Sequence, residues 1–315
     1  MTIFVSNGNL SPEYFAMRTS VKIFAALLWP FQRLPLGFHY AWGRLFSWLM
    51  DSVLRYRKDV VTVNLSRSFP EKKWKEIRQM RKDFYRHFGD IIAEAIWFGG
   101  FRGDEEGLRR SGVVKVVNPE MIEDLYKDER SIMVLTSHLG NWELTGGFIP
   151  YMPEDCPVKQ KDIIVVYKKL KSQFWDEFIR LNRCAVMDDD FEGYQESHDV
   201  LRYSLKHRNE KHLYVFPTDQ YPYSGATKHA IPEFLHQPTQ AMTGGAALAN
   251  KLHMSVLYYA MKRVGKGRFE IEFTKICDDA ATMSPEEIMV EFYRCLEADI
   301  VADPGNYLWS HNRWK

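Results

Sequence analysis

From residue 113 onward, short hydrophobic runs alternate with longer amphipathic ones. Residues 113–117, 131–136 (SIMVLT), 163–167 (IIVVY), 213–216 (LYVF), 255–261 and 269–273 read as strands. Several of these are continuous and β-branched rather than alternating, the pattern of parallel strands buried on both faces. Residues 119–127, 174–182, 241–252 and 285–301 read as helices between or after them. Ser284 followed by Glu287 makes a capping box at the start of the last one. The alternation predicts an α/β fold whose mostly parallel sheet is covered by helices on both faces. No internal repeat or low-complexity linker interrupts it.

The first hundred residues are patterned differently. An apolar run at 23–31 contains Pro30 and is stopped by Gln32, Arg33 and Pro35. Apolar character then resumes to Met50, broken by His39 and Arg44. A membrane span through Arg33 would cost roughly 2.5–3.5 kcal/mol near its centre, so helices lying in the membrane interface are expected instead. Trp42, Leu45, Phe46, Leu49 and Val53 recur at helical spacing, and Trp29, Trp42 and Trp48 suit the headgroup zone. The same periodicity also fits an ordinary core-facing helix. Residues 74–98 form a helical pattern after Pro70, with Ile77, Phe84, Phe88, Ile91, Ile92 and Ala95 on one side. This reading divides the chain into membrane-associating N-terminal helices, 1–58, and an α/β domain, 59–315.

Composition narrows the classes. The 315 residues are 45% hydrophobic but hold no run near the ~20 apolar residues of a span, which excludes a polytopic membrane protein. A formal net charge of +1 argues against a dedicated nucleic-acid binder. That neutrality hides an asymmetry: residues 51–90 carry eleven Lys and Arg against six Asp and Glu. Basic charge beside an aromatic, apolar segment points to an anionic membrane surface. Four cysteines without a C-x-x-C pair read as reduced thiols, and no removable leader is expected at the N-terminus.

The chemistry concentrates in Ser137-His138-Leu139-Gly140-Asn141-Trp142-Glu143, directly after a buried strand. Ligands bind at the carboxyl ends of strands in open α/β sheets. Asn141 can cap the next helix, which puts Glu143 in its first turn. With His138 in the turn and Glu143 on the helix, the pair is expected to form a dyad. The carboxylate would hold one ring N–H while the other nitrogen takes a proton from an alcohol. No G-x-S-x-G nucleophile is present, so direct attack of a hydroxyl on a thioester is expected, beside an apolar channel for a hydrocarbon tail. Residues 188–190 read as a solvated loop. His207 and His212, flanking 208–211, read as an exposed connection, and no metal or cofactor is expected.

These residues resemble a known family. SHLGNWE is similar to the His-x4-acid motif of the lysophospholipid-acyltransferase-like superfamily, and more narrowly to that of the lipid A biosynthesis acyltransferases. Further blocks follow in the family's order. They are Asn64-Leu65, Phe69-Pro70-Glu71, Phe84-Tyr85 with Glu94, Val166-Tyr167-Lys168, Phe216-Pro217-Thr218-Asp219-Gln220, Pro238 to Gly244 with Leu248-Ala249, and Tyr307 to Lys315. The resemblance implies transfer of a fatty acyl chain from acyl carrier protein to a hydroxyl of a lipid A precursor at the cytoplasmic face of the inner membrane. It implies His138 as base with Glu143 as its partner, and Lys168, Asp188, Asn141 and Asp219 as substrate-binding residues, Asp188 pairing with Lys168. A lysophospholipid or amino-lipid acceptor, or a catalytically silent membrane-surface protein, are the alternatives. Three positions depart from the family pattern: Ser137 for Asn, Lys168 for Arg, and 232–236 (PEFLH) for an apolar block.

Overall fold

The computed structural model describes residues 12–188, 190–223, 226 and 228–314. Residues 1–11, Asp189 and Lys315, which the sequence reading touches, lie outside the described residues. The strands are β1 (Val114–Val116), β2 (Ile132–Thr136), β3 (Ile163–Tyr167), β4 (Tyr194–Glu196), β5 (Leu213–Pro217), β6 (Lys228–Phe234), β7 (Gln237–Met242), β8 (Ser255–Gly265) and β9 (Arg268–Cys277). The first helices are α1 (Pro12–Gln32), α2 (Leu36–Trp48), α3 (Lys58–Ser68), α4 (Trp74–Phe98), α5 (Glu105–Ser111) and α6 (Glu120–Tyr126). After them come α7 (Phe148–Tyr151), α8 (Gln173–Arg183), α9 (Val200–Lys206), α10 (Gly244–Lys251) and α11 (Pro285–Ala302).

Seven strands form one sheet in the order β1-β9-β8-β2-β5-β3-β4. All pairings are parallel except β8 with β9, so the sheet is mostly parallel, as the continuous apolar runs predict. Its two faces carry two separate cores, and alternate residues of each strand serve each one. Met133, Leu135, Ile164 and Tyr258 face the core filled by α10 and α11. Ile132, Val134, Ile163 and Tyr259 face the core holding Leu108 of α5, Ile122 of α6 and Phe148 of α7. The capping box at Ser284 and Glu287 starts α11, and Ile288, Phe292 and Leu296 then form its buried stripe.

A small antiparallel sheet, β6-β7, turns through Leu235 and His236, both at positive φ (51° and 61°). That is the backbone of a two-residue hairpin turn, occupied here without glycine or asparagine.

The N-terminal helices pack through only part of their apolar surface. α2 crosses α4 closely at Gly43 and Gly89, where an added Cβ at Gly89 would lie 2.5 Å from the Gly43 carbonyl oxygen. His39, Tyr40 and Gly43 are buried, and Ser47 Oγ donates to the Tyr85 carbonyl (2.8 Å). Of the amphipathic set read from the sequence, Leu45 (63% exposed) and Val53 point outward, as do Phe38 and Trp48. α1 leans on α8 through Phe24, whose ring meets Phe174 and Phe178 (5.6 and 5.1 Å), and leaves Ile23, Leu27 and Trp29 exposed. Among the described residues, no helix is long and apolar enough to cross a membrane.

Candidate active site

Register brings the site together. β2 and β5 are parallel neighbours with Thr136 opposite Pro217. Two residues beyond that pair stand His138 on one strand exit and Asp219 on the other. The ladder continues as Thr218 N donates to the Thr136 carbonyl (3.0 Å). Asp219 then receives both the His138 backbone N–H (Oδ2, 3.1 Å) and His138 Nδ1–H (Oδ1, 2.8 Å). The carboxylate is 1% exposed, whereas the His138 side chain keeps 19% of its surface open. Burial pushes Asp219 up. The His138 ring, the His138 backbone N–H and the positive charge of Arg313 outweigh it and hold the carboxyl below its usual range.

With Nδ1–H spent on Asp219, Nε2 carries the lone pair. The Gln220 amide nitrogen lies 3.1 Å from Nε2 and donates to it. The Trp142 ring stands edge-on to the imidazole at 5.0 Å.

Helix α4 backs the motif with one face. His87 Nε2 donates to the Gly140 carbonyl (3.2 Å), and Glu94 Oε2 accepts from Asn141 Nδ2 (2.7 Å). Burial lowers His87 to about 3, so its ring is neutral. Gly140 needs its glycine: φ is +69°, and a Cβ there would lie 2.3 Å from the Met261 carbonyl oxygen. The C-terminal segment closes the other side. Leu308 N donates to the His138 carbonyl (3.2 Å), and Asn64 Nδ2 of α3 holds the carbonyls of Trp309 and His311 (2.9 Å each). His311 Nε2 accepts from Tyr221 N (3.1 Å), and burial lowers this ring to about 4, so it too is neutral.

The structure places the residues singled out from sequence as follows. Asn141 caps the next turn as expected, its Oδ1 accepting from Glu143 N (3.1 Å). Its side chain is completely buried, and its Nδ2 donates to Glu94 Oε2 (2.7 Å). Glu143 does not hydrogen-bond to His138. It starts a 3-10 helix (Trp142–Gly147), and its carboxylate is taken by the fork of Arg183 at the end of α8 (2.8 and 2.6 Å) and by Trp142 Nε1 (3.0 Å). Burial pushes Glu143 up, but the Arg183 guanidinium holds it below its usual value. Asp219, expected to bind substrate, instead occupies the position foreseen for Glu143. Lys168 is exposed at the exit of β3, with Nζ 4.4 Å from the centre of the Tyr223 ring. Asp188 is exposed on its loop, where its backbone N donates to Gln160 (2.8 Å), and it forms no ion pair with Lys168. Sequence reasoning missed Arg183 and His87, and it named Gln220 only within a family-like block, without its contact to His138. Those three contacts run across 40, 53 and 82 residues, and local spacing does not mark them.

On the face of the sheet that packs against α7 lies an apolar cavity of about 20 Å³, lined by Val134, Phe148, Ile163, Val215, Tyr259 and Phe273 among others. It has room for a water-sized sphere rather than a hydrocarbon tail.

Glu94 offers a pH test of this packing. Burial raises it to about 7, against hydrogen bonds from Tyr40 Oη (2.5 Å) and Asn141 that favour its charge. Between its ordinary value and 7, the folded chain holds a proton that the unfolded chain has lost. Stability therefore falls as pH rises through that window, by about 3 kcal/mol. Glu94→Gln is expected to flatten the loss, seen as a Tm that changes less than wild type between pH 5 and pH 8. An unaltered pH profile of Tm would contradict it.

No curated protein matches the chain. The family model for bacterial lipid A biosynthesis acyltransferases matches residues 10–315, nearly the whole length, so the chain belongs to that family and is an acyltransferase.

Proposed function

We propose that the protein transfers a fatty acyl chain from acyl carrier protein to a hydroxyl of a lipid A precursor, with His138 as general base. The observation that carries this reading is the His138 ring, tethered to buried Asp219 through Nδ1 and presenting Nε2 on its open side. The acceptor hydroxyl takes the place of the Gln220 amide and gives its proton to Nε2. Its oxygen attacks the thioester carbonyl carbon, and the tetrahedral adduct collapses with cleavage of the C–S bond. The proton passes from Nε2 to the departing sulfur, which leaves an ester, a thiol and a neutral imidazole. Asp219 stabilises the imidazolium that forms between these steps. Lys168, exposed at the same edge of the sheet, meets negative charge on the acceptor or the thioester oxygen. Glu143, locked to Arg183, sets the charge beside the ring rather than orienting it.

The assay incubates purified protein and acylated carrier protein with either an under-acylated lipid A precursor or a lysophospholipid, and reads products by mass spectrometry. The expected product is the glycolipid heavier by one acyl group and cleaved by mild alkali, as an ester is. Acylation of the lysophospholipid alone, or an alkali-stable amide, would overturn the acceptor assignment.

The outward apolar faces of α1 and α2 support docking on the cytoplasmic face of the inner membrane. Ile23, Leu27, Trp29, Leu45 and Trp48 are exposed beside Lys22, Arg33, Arg44 and Arg55, a combination that suits an anionic bilayer. The double variant Leu45→Glu/Trp48→Glu is expected to lose at least about tenfold in binding to anionic vesicles by flotation, because each buried apolar side chain contributes about 1.5–3 kcal/mol. Flotation equal to wild type would move the membrane face elsewhere.

A further inference from the structure

At the amino end of β5, opposite the edge that carries Asp219, the chain leaves α9 at Lys206 and enters the strand at Leu213. The sequence reads as an exposed connection there, yet the fold gathers three ligating side chains. Glu210 N donates to the His207 carbonyl (3.0 Å), a turn that brings the two side chains together. His207 Nδ1 lies 2.9 Å from Glu210 Oε1, and His212 Nε2 lies 3.5 Å from Glu210 Oε2. One ligating atom from each of the three falls within 4.8 Å of the others. Tetrahedral ligands at 2.0–2.1 Å from a zinc ion stand about 3.3 Å apart, so these spacings bracket what such an ion requires.

The second observation is His212 itself. Its side chain is 6% exposed, and neither ring nitrogen completes a hydrogen bond. An imidazole buried in that state is costly unless something takes up its nitrogens. The surroundings hold it in place: His212 N donates to Ser131 Oγ (3.0 Å), Ile132 N donates to the His212 carbonyl (2.9 Å), and Lys211 Nζ donates to the Tyr126 carbonyl (2.6 Å). Tyr203 stacks on His207 at 4.3 Å.

We infer that His207, Glu210 and His212 form a binding site for a divalent transition metal, best matched by zinc, with the fourth position open to solvent on the Glu210 side. Two imidazoles and one carboxylate suit zinc, copper or nickel and not magnesium or calcium. The site lies a strand length from the acyl-transfer edge, so its ion clamps the α9–β5 connection and takes no part in the chemistry.

The test uses the full chain, stripped of metal by chelation. Zinc is titrated by calorimetry, and cobalt is followed through its visible absorption. The expected result is one equivalent bound with micromolar or tighter Kd and a tetrahedral cobalt spectrum. His207→Ala at a half-buried position and Glu210→Gln at an exposed one are each expected to weaken zinc binding at least about tenfold. Their circular dichroism and metal-free acyl transfer should match metal-free wild type. Absence of saturable binding below about 1 mM would overturn the site. So would stoichiometry and affinity kept in both variants, which would place the ion on other groups such as the cysteines.

Discussion

Asp219→Asn is expected to lower kcat for acyl transfer by about 10²–10⁴-fold with little change in KM. The carboxylate accepts two hydrogen bonds from His138, one from the ring and one from the backbone. Asparagine offers one acceptor oxygen. If that oxygen keeps the backbone N–H, the amide N–H₂ faces Nδ1 and forces the ring proton onto Nε2, so the base has no lone pair toward the acceptor. His138→Ala should fall at least as far, since it removes the base itself. Glu143→Gln should cost far less in kcat, because no hydrogen bond joins Glu143 to the ring. The three variants assayed side by side, with circular dichroism to check folding, decide which carboxylate serves His138. Near-normal kcat in Asp219→Asn together with collapse in Glu143→Gln would return the dyad to the motif's own glutamate.

The contrast between those two acids shows how far the sequence was legible. The strand of residues 163–167 and the helix of 74–98 are found where they were read, because a buried parallel strand and a long amphipathic helix write their period into adjacent residues. The capping box of α11 was legible for the same reason. β4 is three residues long at the sheet edge and leaves no such mark. The β6-β7 hairpin carries Pro232 and Pro238 inside its strands and turns on Leu235-His236, so it lacks both strand and turn signals. At the site, local spacing located His138 and the cap at Asn141. It joined the imidazole to the acid five residues away, but the fold joined it to one 81 residues away. What separates the two outcomes is the adjacency and register of β2 with β5. Strand order is a tertiary fact, although both His138 and Asp219 stand two residues beyond paired strand positions. The aromatic N-terminus was legible in periodicity and ambiguous in direction, because an apolar stripe does not state whether protein or bilayer covers it. The small residues opposite it, Gly43 and Ser47, show which face α4 needs.

Arg183→Ala tests the other half of the site through stability. Glu143 is half-buried, and Arg183 grips it through two nitrogens while a third donates to Tyr194 Oη (3.2 Å). Removing the guanidinium strands a carboxylate whose burial already pushes it toward the neutral form. Breaking a buried pair in this way costs about 3–5 kcal/mol. Arg183 keeps a third of its side chain exposed and Glu143 about a fifth, so water and counter-ions recover much of that and the expected loss is about 1–3 kcal/mol. The measurement is a Tm lower by several degrees at pH 7. The sign with pH follows from Glu143. In wild type its carboxyl is held low, and that contribution is lost as pH falls through its folded-state value. In Arg183→Ala the carboxyl rises, so the variant should recover stability relative to wild type as the solution is acidified. Glu143→Gln/Arg183→Met should regain most of the deficit at neutral pH, because it replaces the unpaired charge with a neutral amide and an apolar stem. If Arg183→Ala is as stable as wild type at every pH, the pair is a surface contact, and its proximity to His138 has no energetic weight.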